Sequence, residues 1–156
     1  MKKAVYAGSF DPITNGHIDI LRRSLEVFDE VIILVADNQD KKSRFSVDER
    51  VEMIMEAVKD IKGASVDCYH GLTVEYANKV GAKHLIRGLR AVTDFDYEFS
   101  LMEANKFIDP SIESVFFMAS KDYSFISSSA IDSMYKSGVD ISKLVPESVI
   151  KMYKKR

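Results

Sequence analysis

Little in this chain marks it as a special case. In 156 residues there is one cysteine, there are three prolines and seven glycines, and there is no tryptophan. A lone thiol, Cys68, excludes an intrachain disulfide and argues against a cysteine-built metal site. Set in Ala64-Ser65-Val66-Asp67-Cys68-Tyr69, it reads as a small buried residue of a strand rather than a nucleophile. No Pro/Gly/Ser-rich stretch, low-complexity tract or fixed-period repeat interrupts the chain. Neither sign of charge dominates. The 22 Lys and Arg nearly balance 24 Asp and Glu, for a formal net charge of −2, so the basic footprint of a polynucleotide binder is missing. No apolar run is long enough to span a bilayer. The short run after Met1-Lys2-Lys3 leads into a Gly/Pro turn and not into a cleavage site. A cytoplasmic location, with no membrane and no nucleic-acid partner, is the expectation that remains.

What is present is alternation. A 46% hydrophobic chain of this length suffices for one substantial core, and a single domain over 1–156 is expected. Apolar runs Ala4–Ala7, Val31–Ala36, Val66–Tyr69, His84–Gly88 and Ser114–Met118 read as strands. Between them lie helical spacings. Ile18, Leu21, Leu25 and Phe28 mark a first helix, and Ser46 with Glu49 forms a capping-box signal before a second. Thr73 reads as the cap of a short third helix stopped by Gly81. Val92 to Phe107 forms a fourth, Ser127-Ser128-Ser129 opens a fifth stopped by Gly138, and Pro146 suits the first turn of a sixth. Strand and helix in strict alternation predict a Rossmann-like α/β domain, doubly wound, with a five-stranded parallel sheet and helices on both faces. Ligands then bind beyond the carboxyl ends of the strands. Gly8 to His17, Asp37 to Lys42, Gly71 to Thr73, Arg87 to Arg90 and Ser120 to Ser129 all follow strands, so they can share one edge.

The most informative of these segments is Gly8-Ser9-Phe10-Asp11-Pro12-Ile13-Thr14-Asn15-Gly16-His17. A strand, a tight turn and a helix bearing histidine in its first turn bring free N–H groups and a helix dipole to one point, which suits phosphate. Gly8 is expected to supply a backbone conformation closed to other residues, and Gly16 to clear space at the helix start. A protonated or a hydrogen-bonding imidazole could stabilise charge there. Neither a Walker A string nor a dinucleotide Gly-rich fingerprint occurs. His70 and His84 lack paired metal-ligand spacing and read as structural.

The decapeptide resembles the (H/T)-x-G-H signature of the small nucleotidyltransferase superfamily, with Thr14-Asn15-Gly16-His17 at its core. Ile86-Arg87-Gly88-Leu89-Arg90, Asp94-Phe95-Asp96-Tyr97-Glu98 and Ser124-Phe125-Ile126-Ser127-Ser128-Ser129 follow in order across the chain. Within the superfamily this set is similar to the bacterial phosphopantetheine adenylyltransferases. That resemblance implies transfer of AMP from ATP to 4′-phosphopantetheine, giving dephospho-coenzyme A and pyrophosphate.

The same resemblance implies residue roles. His17, Lys41, Arg90 and Ser129 stabilise the transition state. Ser9, Lys41, Thr73 and Arg87 bind the acceptor. Ser9, Phe10, His17, Gly88, Leu89, Arg90, Glu98 and the run Tyr123, Ser124, Phe125, Ile126, Ser127, Ser128 and Ser129 bind ATP. Tyr123 stands where some relatives carry tryptophan. For Lys41 and Lys42 the ordinary reading is a solvated loop charge. For Glu98 it is an exposed helix face, and for the serines a simple cap. Mg²⁺ is implied as a companion of the ATP phosphates, with no metal ligands among the side chains. A homohexamer and competition by coenzyme A are implied too. Two other readings stay open: another T-x-G-H enzyme, such as a nicotinamide-mononucleotide adenylyltransferase or a cytidylyltransferase, and a nucleotide-binding module without turnover.

Overall fold

Five parallel strands form one sheet in a computed structural model that describes residues 1–37 and 42–156, with only the backbone described at 92 and 93. The strands are β1 (Lys3–Gly8), β2 (Glu30–Ala36), β3 (Ala64–Tyr69), β4 (His84–Leu89) and β5 (Glu113–Met118). Their order in the sheet is β3-β2-β1-β4-β5, and every neighbouring pair is parallel. The chain winds outward from β1 through β2 to β3, then returns to lay β4 on the other side of β1. That reversal puts a crevice at the carboxyl ends of β1 and β4.

Alternation along the central strands fills both faces, as expected of a sheet covered on each side. Ala4 and Tyr6 of β1, with Val31, Ile33 and Val35 of β2, pack against α1 (Asn15–Ser24), α2 (Val47–Val58), α5 (Ser128–Lys136) and α6 (Glu147–Lys154). Val5, Ala7, Leu34 and Leu85 face the other way, onto α3 (Thr73–Lys79). The remaining helix, α4 (Val92–Ile108), lies against β4 and β5. The Rossmann-like architecture is thus the one that the alternating pattern predicts.

Several local expectations are corrected. The first helix stops at Ser24, although Leu25 and Phe28 continue its spacing. The N–H groups of Val27 and Phe28 both turn back to the Ser24 carbonyl, and Phe28 is buried from a turn. Thr73 is the first residue of α3, behind an N-cap at Leu72 with no side-chain bond. Pro146 is the N-cap of α6 rather than a member of its first turn. Cys68 is exposed, because β3 is an edge strand and this position lies outside both hydrophobic clusters. Gly8 has no positive φ. The positive φ of that turn belongs to Phe10, at 47°. At Gly8 the constraint is space instead: a Cβ there would stand 3.2 Å from the Phe10 ring, which would have to give by a few tenths of an ångström. The predicted Ser46–Glu49 capping box is present at α2, with both reciprocal bonds made.

Candidate active site

The turn after β1 is organised by Asp11. Its buried carboxylate accepts the backbone N–H groups of Arg44 at 2.7 Å and Phe45 at 2.8 Å, tying the loop before α2 to the loop before α1. Thr14 then caps α1 in a capping box whose third residue is His17. The Thr14 hydroxyl accepts from the His17 N–H, and the Thr14 N–H donates to His17 Nδ1 at 2.9 Å. A backbone donor on Nδ1 makes that atom the acceptor, so the neutral ring carries its proton on Nε2. Phe10 packs edge-on against the ring, with centroids 4.9 Å apart. Burial, then the charges of Arg90 and Arg87, press the imidazole pKa down to about 4. Of the two forms that the sequence allows, the hydrogen-bonding neutral ring is the one favoured here.

Across the crevice, Arg87 leaves β4 and meets Glu98 of α4 in a two-pronged pair, Nε to Oε2 at 2.7 Å and Nη2 to Oε1 at 2.8 Å. Its Nη1 donates to the Ala7 carbonyl. Burial works against this charge, but Glu98 outweighs it and holds the guanidinium above its ordinary pKa. Glu98 is therefore buried rather than on an exposed helix face. Arg90 donates from Nη1 to the Ile126 carbonyl and pairs loosely with Asp94 at 3.5 Å. It thereby links β4 to the segment that opens α5. In that segment the Ser127 hydroxyl caps the Ala130 N–H and the Ser128 hydroxyl donates to the Pro12 carbonyl. The N–H groups of Ser128 and Ser129 have no acceptor among the described residues. They point from the positive end of a nine-residue helix.

These groups line one cleft of about 950 Å³, a size suited to a nucleotide-scale ligand. Ser9, Phe10, His17, Gly88, Arg90, Tyr123 and Ser127 to Ser129 all reach it. A smaller cavity adjoins it, with Thr73 and the largely apolar Leu101, Met102 and Phe116 in its wall. Arg87 and Glu98 line both spaces. The smaller one lies beside a broad cleft rich in cationic side chains.

The family model for cytidylyltransferase-like proteins matches residues 5–133. Curated phosphopantetheine adenylyltransferases match along nearly the whole chain. That of Lachnoclostridium phytofermentans is 48% identical over 152 residues, covering 97% of this chain and 93% of the relative. That of Dictyoglomus turgidum is 48% identical over 156 residues, covering 99% and 98%. That of Alkaliphilus metalliredigens is 44% identical over 156 residues, covering 100% and 99%. The chain belongs to the phosphopantetheine adenylyltransferase family.

Within this family member, the expected site residues fall into three groups. Most converge on the cleft as described. Leu89, Ser124 and Phe125 do not line it. Leu89 is 8% exposed and packs as part of the sheet, whereas Phe125 is 64% exposed outside it. Lys41 lies outside the described residues, while its neighbour Lys42 lines the cleft. Asp11, Arg44, Arg50 and Asp132 also line the cleft, although none of them is among the residues expected there from the sequence. Arg44 donates to the Ser129 hydroxyl at 2.9 Å and pairs with Asp132 at 3.4 Å. The signal that was available lay in Asp11, inside the diagnostic decapeptide, and in Thr14 three residues before His17. Arg44, Arg50 and Asp132 carry no local motif, and the contacts that bring them to the cleft, Arg44 to Ser129 and Asp132 and Arg50 to Ser9, are distant in sequence.

Proposed function

We propose that this protein transfers AMP from ATP to 4′-phosphopantetheine, releasing pyrophosphate and forming dephospho-coenzyme A. The observation that carries the proposal is the shared cleft. It joins a neutral Nε2–H donor on His17, the Arg90 guanidinium and the open N-terminus of α5, and beside it lies a small cavity walled by Thr73, Leu101, Met102 and Phe116. A phosphate oxygen of the acceptor attacks the α-phosphorus of ATP. The bond from that phosphorus to the bridging oxygen breaks in line, and its electron pair leaves with pyrophosphate. The acceptor is a phosphate monoester already ionised near neutral pH, so no general base is required. Positioning and charge stabilisation supply the rate.

In this reading His17 donates from Nε2 to an α-phosphate oxygen as charge accumulates. A neutral imidazole can do this without first losing or gaining a proton. Arg90 and the Ser128 and Ser129 N–H groups hold the β- and γ-phosphates, and the Ser129 hydroxyl, accepting from Arg44, has its own proton free to donate. Lys41 is assigned to the acceptor phosphate. Glu98 serves by aiming Arg87, and Thr73 lines the arm of the acceptor.

Mg²⁺ is proposed as the companion of the triphosphate. Among the described residues no three His, Cys, Asp or Glu side chains converge on a cation site. The carboxylates of Asp11, Glu98 and Asp132 are already committed to backbone N–H groups, Arg87, and Arg44 with Lys136. Magnesium would neutralise phosphate charge, held by nucleotide oxygens rather than by a protein cage. No described helix is long and apolar enough to cross a membrane, and both proposed substrates are solutes of the cytoplasm, the compartment we assign. The hexamer implied by resemblance finds support in α4, which leaves Phe95, Phe99, Phe107 and Ile108 exposed. Coenzyme A, which keeps both halves of the product, is proposed to compete for the cleft.

Pyrophosphate release with each donor and acceptor in turn tests the proposal. Release with ATP and 4′-phosphopantetheine is expected. Preference for CTP would favour the cytidylyltransferase alternative that the matched family name keeps open. Release with nicotinamide mononucleotide alone would replace the acceptor. No release with any pair would leave a nucleotide-binding module.

A further inference from the structure

Arg50, the fourth residue of α2, has no role in the chemistry described so far. It is only 4% exposed, yet it lines the main cleft. A guanidinium taken this far out of water is normally matched by a carboxylate. The other cleft guanidinium groups are matched: Arg87 by Glu98, Arg90 by Asp94, Arg44 by Asp132 and Arg156 by Glu49. Arg50 has no carboxylate partner among the described residues. Backbone carbonyls hold it instead. Its Nε donates to Phe45 O at 3.1 Å and more weakly to Ser46 O at 3.4 Å. Its Nη1 donates to Ser9 O at 2.8 Å and, at longer range, to Ala36 O at 3.4 Å. Carbonyl dipoles solvate a cation without neutralising it, so its charge is left for an anion.

The third nitrogen points to where that anion sits. Nη2 has no acceptor among the described residues, yet no buried side-chain nitrogen or oxygen is left without a partner. Nη2 is therefore reached by solvent, and the open space beside Arg50 is the cleft. The bond to Ser9 O has its own consequence. In a trans peptide the C=O and the following N–H point in opposite directions. Pinning the Ser9 carbonyl on Arg50 turns the Phe10 N–H away from it, and that N–H has no acceptor among the described residues. One side chain thus orients a backbone donor and supplies a donor of its own.

We propose that Arg50 is a further phosphate-binding residue. Its Nη2 contacts a phosphate oxygen of a substrate in the cleft, while its Nη1 holds the Ser9–Phe10 peptide with the N–H free for phosphate. This deepens the adenylyltransferase reading and rests on it for the identity of the substrates. The phosphate belongs either to the nucleotide or to the acceptor, and separate titrations distinguish the two. Calorimetric affinities would be measured for wild type, Arg50→Met and Arg50→Lys. The ligands are α,β-methylene-ATP against adenosine, and 4′-phosphopantetheine against pantetheine.

Loss of a charge-assisted hydrogen bond should weaken at least one phosphorylated ligand by about tenfold or more in Arg50→Met. Its unphosphorylated counterpart should bind as before. Arg50→Lys, with charge but no fork, should fall between. The ligand that weakens names the phosphate. A merely structural Arg50 would weaken both members of each pair alike, or leave all within about twofold, and either result overturns the proposal. Should Arg50→Met not fold, wild-type protein labelled with ¹⁵N-arginine provides the second arm. The Arg50 side-chain resonances should move on titration with inorganic pyrophosphate or 4′-phosphopantetheine, and no movement with either contradicts the assignment. Neither arm needs turnover. A protein that binds α,β-methylene-ATP but never releases pyrophosphate would refute the adenylyltransferase reading, and the same titrations would still show whether Arg50 contacts phosphate.

Discussion

At the residue scale, burial holds one side chain of the cleft in a single protonation state. His17 is neutral because it is buried beside two guanidinium groups, with a pKa lowered to about 4. The ordinary value is about 6.5, so between these limits the unfolded chain binds a proton that the folded chain refuses. Stability from this group is complete above the higher value and is lost as pH falls toward the lower one, by at most about 1.4 kcal/mol per pH unit. Denaturation at pH 7 and pH 5 should show that loss in wild type and a smaller loss in His17→Ala. Turnover should show no ionisation near pH 6.5 assignable to this ring, and His17→Ala should lower kcat about 100-fold or more with a lesser change in KM for ATP. Glu98 offers a second test. Glu98→Gln leaves Arg87 without its counter-charge and should cost roughly 2 kcal/mol, below the about 3–5 kcal/mol of a fully buried pair because Arg87 is a quarter exposed. The T-x-G-H string made His17 visible in the sequence. The lock on its Nδ1 was less visible, since histidine is not the usual third residue of a capping box.

At the scale of elements, caps and edges decide what could be read. Ser46 and Glu49 announced α2, and the reciprocal bonds are there. Ser46→Ala should lower unfolding free energy by about 1 kcal/mol, measured by urea titration. Where the period misled, a backbone bond had overruled it. Leu25 and Phe28 sit at helical spacing, but the Ser24 carbonyl takes two turn N–H groups and the chain bends into β2. Cys68 reads as buried because strands of α/β sheets usually are. Sequence order does not say which strand forms an edge, and β3 does. An exposed thiol should react fully with a thiol reagent in the native state, and protection until unfolding would contradict the placement.

At the scale of the molecule, strand order brings the site together. Four distant loops meet because β1 and β4 are neighbours at the point where the winding reverses. Alternation in the sequence foretold the sheet, and the motifs foretold the cleft. Arg44 and Arg50 were not foretold, because each acts on partners from other loops, Ser129 and Ser9 among them. The same scale governs assembly. The exposed Phe95–Phe99 pair of α4 should be covered in a hexamer, and Phe99→Glu should yield smaller species by light scattering. A wild-type monomer at working concentration would refute the hexamer without touching the chemistry.

In the proposed reaction a cleft rich in phosphate donors joins an adenylate to a phosphorylated pantetheine arm. Pyrophosphate release from ATP, with 4′-phosphopantetheine as acceptor and dephospho-coenzyme A identified by mass, tests it most directly. Equal amounts of the two products are expected, with no release from unphosphorylated pantetheine and near-complete loss in His17→Ala. Robust release without the acceptor phosphate, or none when it is present, would contradict it.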